Sequence, residues 1–119
     1  MQFHIVGEGE GTRISRLLEG RLRDVSPDGI ALETTTIVAD GLHISYDSVP
    51  ARKNRVYLQF GLPSGTAVKA VAETVWYERI SSAEKLFAVG LKFVEISKES
   101  RAALKAFLDS SNKERPLPV

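Results

Sequence analysis

Arg21-Leu22-Arg23-Asp24-Val25-Ser26-Pro27-Asp28-Gly29-Ile30 is the stretch on which the reading of the fold turns. It joins two runs with strand-like patterning, and its ten residues hold two arginines, two aspartates, a serine, a proline and a glycine. Pro27-Asp28-Gly29 has turn chemistry: proline presets φ at the first central position and glycine accepts positive φ. Asp24 and Ser26 carry short polar side chains that bond either to nearby backbone amides or to a ligand. Taken alone, this composition describes a polar turn between two strands.

Outward from the turn, the chain alternates. After it, Ile30, Leu32 and Thr34 oppose Ala31 and Glu33. Before it, over residues 12–23, Ile14, Leu18 and Leu22 share one face of an extended chain, and Arg13, Leu17, Glu19, Arg21 and Arg23 share the other. Arg16 breaks that pattern and marks a bulge or an early turn. Val25 falls on the arginine side, which predicts a bend near Asp24. Residues 1–6 read as a first strand, ended by the three glycines of residues 7–11.

Further on, Asp40-Gly41 marks a turn, and Leu42, Ile44 and Tyr46 alternate against His43, Ser45 and Asp47. Residues 48–54 read as a loop. Val56, Leu58, Phe60 and Leu62 alternate against Arg55, Tyr57 and Gln59, and Pro63-Ser64-Gly65 ends that run. Residues 67–77 are β-rich, residues 79–85 a polar connection, and Phe87, Val89, Leu91 and Phe93 alternate again. Six or seven short strands at such spacing predict an all-β sandwich or barrel.

The last part changes period. Ser97 is placed to cap a helix, with Glu99 in its first turn, where the helix dipole favours an acid. Ala103, Leu104, Phe107 and Leu108 then fall on one face, which predicts a helix over residues 98–111. The two prolines beyond residue 112 predict a loose end. The expected organisation is a single domain over residues 1–112 with a tail over 113–119.

Composition bounds the function. A chain of 119 residues with 43% hydrophobic and 26% charged residues suits one soluble domain with its own core. A net charge of +1 gives no drive toward nonspecific nucleic-acid or membrane binding. There is no cysteine, hence no disulfide framework and no thiolate metal site. No apolar run approaches the roughly 20 residues of a membrane span, and the start lacks the pattern of a signal peptide. The location expected by default is the cytoplasm.

The sequence offers no catalytic set. His4 and His43 lie in separate runs without metal-ligand spacing, no serine stands in G-x-S-x-G, and no G-x-x-x-x-G-K loop is present. Trp76 reads as core or half-exposed sheet surface, with stacking on a ligand as the alternative role. More informative is the basic cluster Arg13, Arg16, Arg21 and Arg23, opposed only by Glu19 before Asp24 is reached. One reading is a solvated strand face. The other is an anion and guanine site: a guanidinium pairs bidentately with phosphate and stacks on a purine, and a carboxylate accepts from the two parallel N–H donors of guanine.

Asp24-x-Ser26-x-x-Gly29 after a strand, Gly90-x-x-Phe93 in a later strand, and a short amphipathic helix at the end resemble the PilZ domain, the bacterial receptor module for cyclic di-GMP. The likeness covers residues 18–110 or so. It implies a small antiparallel β-barrel of six or seven strands with one C-terminal helix, no enzymatic activity and no cofactor. It also implies cyclic di-GMP as ligand, a guanine contact from Asp24, Ser26 and Gly29, and a protein effector of motility, secretion or polysaccharide synthesis as partner.

The family's second motif, R-x-x-x-R some twenty residues upstream, does not carry over. Residues 1–4 hold no arginine, and no two arginines of the chain are four apart. Either the motif has been lost or the chain begins after it. Losing two charge-assisted bonds, each contributing about 1.5–3 kcal/mol, weakens a receptor by roughly 100-fold to 10,000-fold. The exception would be substitution by Arg13, Arg16, Arg21 or Arg23. The leading expectation is therefore a PilZ-type module with a weakened ligand site. The alternative is a degenerate PilZ adaptor that works by protein contact. A small-barrel RNA binder ranks below both, because it needs several exposed aromatics beside a basic stripe.

Overall fold

A computed structural model of the chain describes residues 1–7, 11–46, 53–81 and 83–114. Its elements are β1 (Gln2–Gly7), β2 (Arg13–Ile14), β3 (Leu18–Glu19), β4 (Arg21–Ser26), β5 (Gly29–Thr34), β6 (Val38–Ala39), β7 (Leu42–His43), β8 (Arg55–Gly61), β9 (Ala67–Ser81), β10 (Leu86–Ile96) and α1 (Lys98–Glu114). The chain is thus mainly β with one helix at its end, as the periodicity predicts. The polar tail lies largely outside the described residues, and α1 runs past residue 111 to Glu114.

Every ladder is antiparallel, and the hydrogen-bonded order is β2-β1-β8-β9-β10-β5-β4. As a path of ladders the sheet stays open, where a closed barrel is the expectation. One continuous segment nonetheless reaches both sides of it. Leu18 and Glu19 pair with Phe3 and Gln2 of β1, the Gly20 amide donates to the Met1 carbonyl at 2.9 Å, and Arg21 through Ser26 pair with β5.

Period-two patterning does the burying. In β8, Val56, Leu58 and Phe60 turn inward while Tyr57 and Gln59 face water. Phe3 and Ile5 of β1, Leu32 of β5, and Val89 and Leu91 of β10 join them in one core. The helix completes that core with Leu104, which is 1% exposed, while Ala103, Phe107 and Leu108 pack partly buried beside it. Ser97 caps it as predicted, its Oγ accepting the Ser100 amide at 3.1 Å. Ser100 Oγ in turn accepts the Lys69 amide at 3.1 Å, fastening the first turn of the helix to β9.

Three expectations need correction. Of the bulge or early turn expected near Arg16 the chain takes the break, residues 12–23 forming β2, β3 and β4, and Ile14 is 59% exposed rather than sharing an inner face with Leu18. The break comes at Ser15, whose hydroxyl accepts the Ile5 amide at 2.9 Å and donates to the Arg16 carbonyl at 2.8 Å. A side chain that bonds to the backbone in this way competes with the ladder.

The alternation from Leu42 also stops early. Ser45 is buried and Tyr46 exposed, because the Ser45 amide donates to His43 Nδ1 at 3.0 Å and the local turn ends the strand. Finally, β9 continues through Arg79 to Ser81, where a polar connection is expected from residue 79. Its pairing with β10 holds that stretch in place.

Candidate functional site

The bend expected near Asp24 is a β-bulge, and it decides which way the site faces. Leu22 lies opposite Leu32, and Asp24 lies opposite Ala31, so Arg23 is the extra residue between them. Unbroken alternation would send Asp24 to the same side as Leu22. The bulge resets the phase: Val25 turns toward the core opposite Ile30, and Asp24 and Ser26 turn to the outer face. The turn that follows uses no positive φ at Pro27, Asp28 or Gly29, contrary to the expectation for the glycine. Glycine is required at 29 for another reason: a Cβ there would collide with the Leu91 carbonyl oxygen. The turn is tied down further by the Phe93 amide, which donates to the Asp28 carbonyl at 2.8 Å, and by Ser26 Oγ, which donates to the Gly29 carbonyl at 3.2 Å.

Register then lays residues out in rows across four strands. One row runs Asp24, Ala31, Gly90, Trp76; the next runs Ser26, Gly29, Lys92, Glu73. Ala31 and Gly90 make a low floor between the Asp24 carboxylate and the Trp76 ring. The indole lies over Gly90 so closely that a Cβ at that position would run into it. A second irregularity, with Val75 unmatched between Thr74 and Trp76, puts the ring there. The result is an open cleft of about 390 Å³ lined by Asp24, Ser26, Asp28, Ala31, Trp76 and Lys92 among others.

Its chemistry is specific in kind. Asp24 Oδ1 accepts its neighbour's amide, from Val25, at 3.1 Å, and among the described residues no cation pairs with this carboxylate. Trp76, the sole tryptophan, keeps 44% of its surface exposed and offers a flat stacking face. Lys92 brings an ammonium group. Such a cleft suits a planar base with adjacent N–H donors.

The structure brings Asp24, Ser26 and Gly29 together and leaves the expected arginines elsewhere. Arg13 and Arg16 are held by the β6–β7 turn: Arg13 donates to the Asp40 carbonyl at 2.9 Å, and Arg16 pairs with the Asp40 carboxylate at 3.3 Å. Arg23 lies 3.8 Å from Glu33. Arg21 sits opposite Glu33 and lines a separate shallow depression with Glu19 and Thr34. Sequence reading ranked stacking below a packing role for Trp76 and passed over Lys92. Their signal was Gly90, a residue without a side chain in the middle of a buried strand, which leaves room for a large neighbour.

A larger cleft, about 560 Å³, lies over β1, β8 and the start of β9, lined by Gln2, His4, Tyr57, Gln59, Lys69 and Glu95 among others. His4 contacts the Ser15 carbonyl through Nδ1 at 2.9 Å. His43 stacks at a tilt on Tyr77, ring centroids 5.3 Å apart, and burial holds its pKa below the ordinary histidine value. Among the described residues no group of three His, Cys, Asp or Glu side chains is placed to hold a metal, and no helix is long and apolar enough to cross a membrane.

The chain is thus an antiparallel β structure sealed by one helix, with a polar cleft at a hairpin turn. The family model of the PilZ domain matches residues 3–110, and the chain belongs to that family, whose members are non-enzymatic cyclic di-GMP-binding or adaptor modules. The comparisons with curated proteins and with solved structures return no match.

Proposed function

We propose that the chain is a signalling module that binds cyclic di-GMP at the Asp24 cleft. The observation that supports it best is the unpaired Asp24 carboxylate facing the exposed Trp76 ring across the Ala31–Gly90 floor. In this reading the carboxylate accepts from guanine N1–H and N2–H, Ser26 adds a hydroxyl, and Trp76 stacks on the base. Residues 18–26, which touch both β1 and β5, serve as the closure of a PilZ-type barrel. Residues 1–112 then act as one domain, and the module works in the cytoplasm without catalysis and without a cofactor.

The second reading is an adaptor that contacts an effector of motility, secretion or polysaccharide synthesis without nucleotide. It draws support from Arg13 and Arg16, which are engaged by Asp40 and do not line the cleft. A calorimetric titration with cyclic di-GMP separates the two. Binding that quenches Trp76 fluorescence supports the receptor. No heat and no quenching at millimolar ligand supports the adaptor, and a pull-down with the chain as bait is then the next experiment.

A further inference from the structure

We propose that α1 supplies the phosphate-facing cations of this site, through Arg101 and Lys105. The inference rests on the receptor reading above. The cleft has a charge problem: Asp24 and Asp28 line it against one ammonium, from Lys92, while a cyclic dinucleotide brings two phosphodiester anions. More cations have to come from beside it. Arg13, Arg16 and Arg23 each lie against an acceptor, and Arg21 lies in another depression.

The far side of the same hairpin turn holds what is missing. Pro27 faces a second cleft, about 350 Å³, whose other lining residues are Arg101, Leu104, Lys105, Leu108 and Asp109 of the helix. Asp28 lines the base cleft and Pro27 the helix cleft, so the two are separated only by the turn itself. Arg101 and Lys105 are four residues apart, which on a helix stacks their side chains one turn above another on a single face. Both are exposed, and among the described residues neither has an ion-pair partner within 4.0 Å. Asp109, at the next four-residue step, tempers their field but leaves the pair net positive.

Position is fixed as well as charge. Leu104, between the two cations in sequence, is 1% exposed and anchors the helix in the core. Ser100 fastens the helix start to β9, and the Phe93 amide fastens Asp28 to β10. Arg101, Lys105 and the turn are therefore held on one rigid support. A pair of cations so held loses less freedom on binding than a pair on a flexible segment. In this proposal the phosphodiester of a base held in the Trp76 cleft crosses Pro27 toward the helix.

The test is calorimetric titration of the whole chain with cyclic di-GMP at two salt concentrations. Arg101→Ala and Lys105→Ala should each weaken binding about tenfold or more, flatten its salt dependence, and leave the melting temperature unchanged. Arg101→Lys should retain most of the affinity. Lys85→Ala, the same charge loss in the β9–β10 turn, should leave affinity unchanged. Binding that is lost in Asp24→Ala yet unaltered in both helix variants overturns the role of α1 and leaves the receptor reading standing. An equal loss in Lys85→Ala also overturns it, since bulk charge would then be the cause. Absence of binding by the unaltered chain at millimolar ligand overturns both.

Discussion

Two turns of this molecule each present an aspartate, and the two have opposite fates. Asp40 stands at the β6–β7 hairpin with φ of 54°, followed by Gly41 at 79°, the pair of positive angles that an Asp-Gly hairpin turn requires. Its carboxylate accepts the Arg16 amide at 2.7 Å and pairs with the Arg16 guanidinium, and its carbonyl accepts from Arg13. Asp24 stands beside the β4–β5 hairpin with its neighbour's amide for company and a tryptophan across the floor. Arg16 is much nearer in sequence to Asp24 than to Asp40, yet it pairs with Asp40. The strand break at Ser15 carries Arg13 and Arg16 to the Asp40 hairpin, and Arg21 and Arg23 lie beside Glu33. The bulge at Arg23 turns Asp24 to a face where no cation among the described residues pairs with it. An aspartate paired with a cation holds a turn together; one in a cleft with only its neighbour's amide keeps acceptor capacity for a ligand.

The sharpest way to break that contrast is to remove each carboxylate in turn. Asp24→Ala deletes an acceptor for two donors of guanine, each bond being of the charge-assisted kind that contributes about 1.5–3 kcal/mol. Cyclic di-GMP binding should fall at least a hundredfold, below detection by calorimetry. Asp40→Ala should leave affinity within twofold and lower the melting temperature, since it removes an exposed ion pair of about 0.2–1 kcal/mol together with the acceptor of the Arg16 amide, at a residue of positive φ. Equal losses of affinity in the two variants would erase the distinction.

The support beneath the Asp24 turn comes next. Leu104→Ala empties a fully buried position under α1 and should cost about 2–5 kcal/mol in denaturant unfolding. Phe107→Ala, on the half-buried flank of the helix, should cost less. A change within error for Leu104→Ala would mean that the helix does not contribute to the core.

Trp76→Ala removes the stacking face and should weaken nucleotide binding by about 1–3 kcal/mol without loss of fold, measured by calorimetry because the fluorophore is gone. Gly90→Ala pushes the ring off its floor and should shift the tryptophan emission in the free protein. An unchanged spectrum would argue against the close seat of the indole over Gly90.

The smallest effect belongs to His43, near the Asp40 hairpin. Burial lowers its pKa, so the unfolded chain takes up a proton more readily than the folded one. The associated stability is complete above the unfolded value of 6.5 and is lost as pH falls through the lower folded value. Protonation would also cost the Ser45 amide its acceptor at Nδ1. The melting temperature should decline modestly on going from pH 7 to pH 5, and His43→Gln should reduce that decline. A slope of the same size in both proteins would assign it to other groups.

What the sequence determined by itself follows from local rules. Alternation in β8 and in β5 identifies core strands because the two sides of a strand differ in solvent contact, whereas Ala88 to Leu91 of β10 are buried on both sides. Ser97 and the apolar spacing from Ala103 to Leu108 define the helix for the corresponding reason at period 3.6. The order of Asp24, Ser26, Gly29 and the later Gly90-x-x-Phe93 is enough to mark the family. What only the tertiary structure decided is who faces whom. Pairing is set by register and by single-residue irregularities, and one extra residue reverses every side chain beyond it. The bulge at Arg23 sends Asp24 outward, the irregularity at Val75 brings Trp76 over Gly90, and the Asp40 hairpin takes Arg13 and Arg16. None of these partners lies near the other in sequence, so no local pattern records them. The same holds for Arg101 and Lys105, which come beside Pro27 because Leu104 is driven into a core built by strands many residues away.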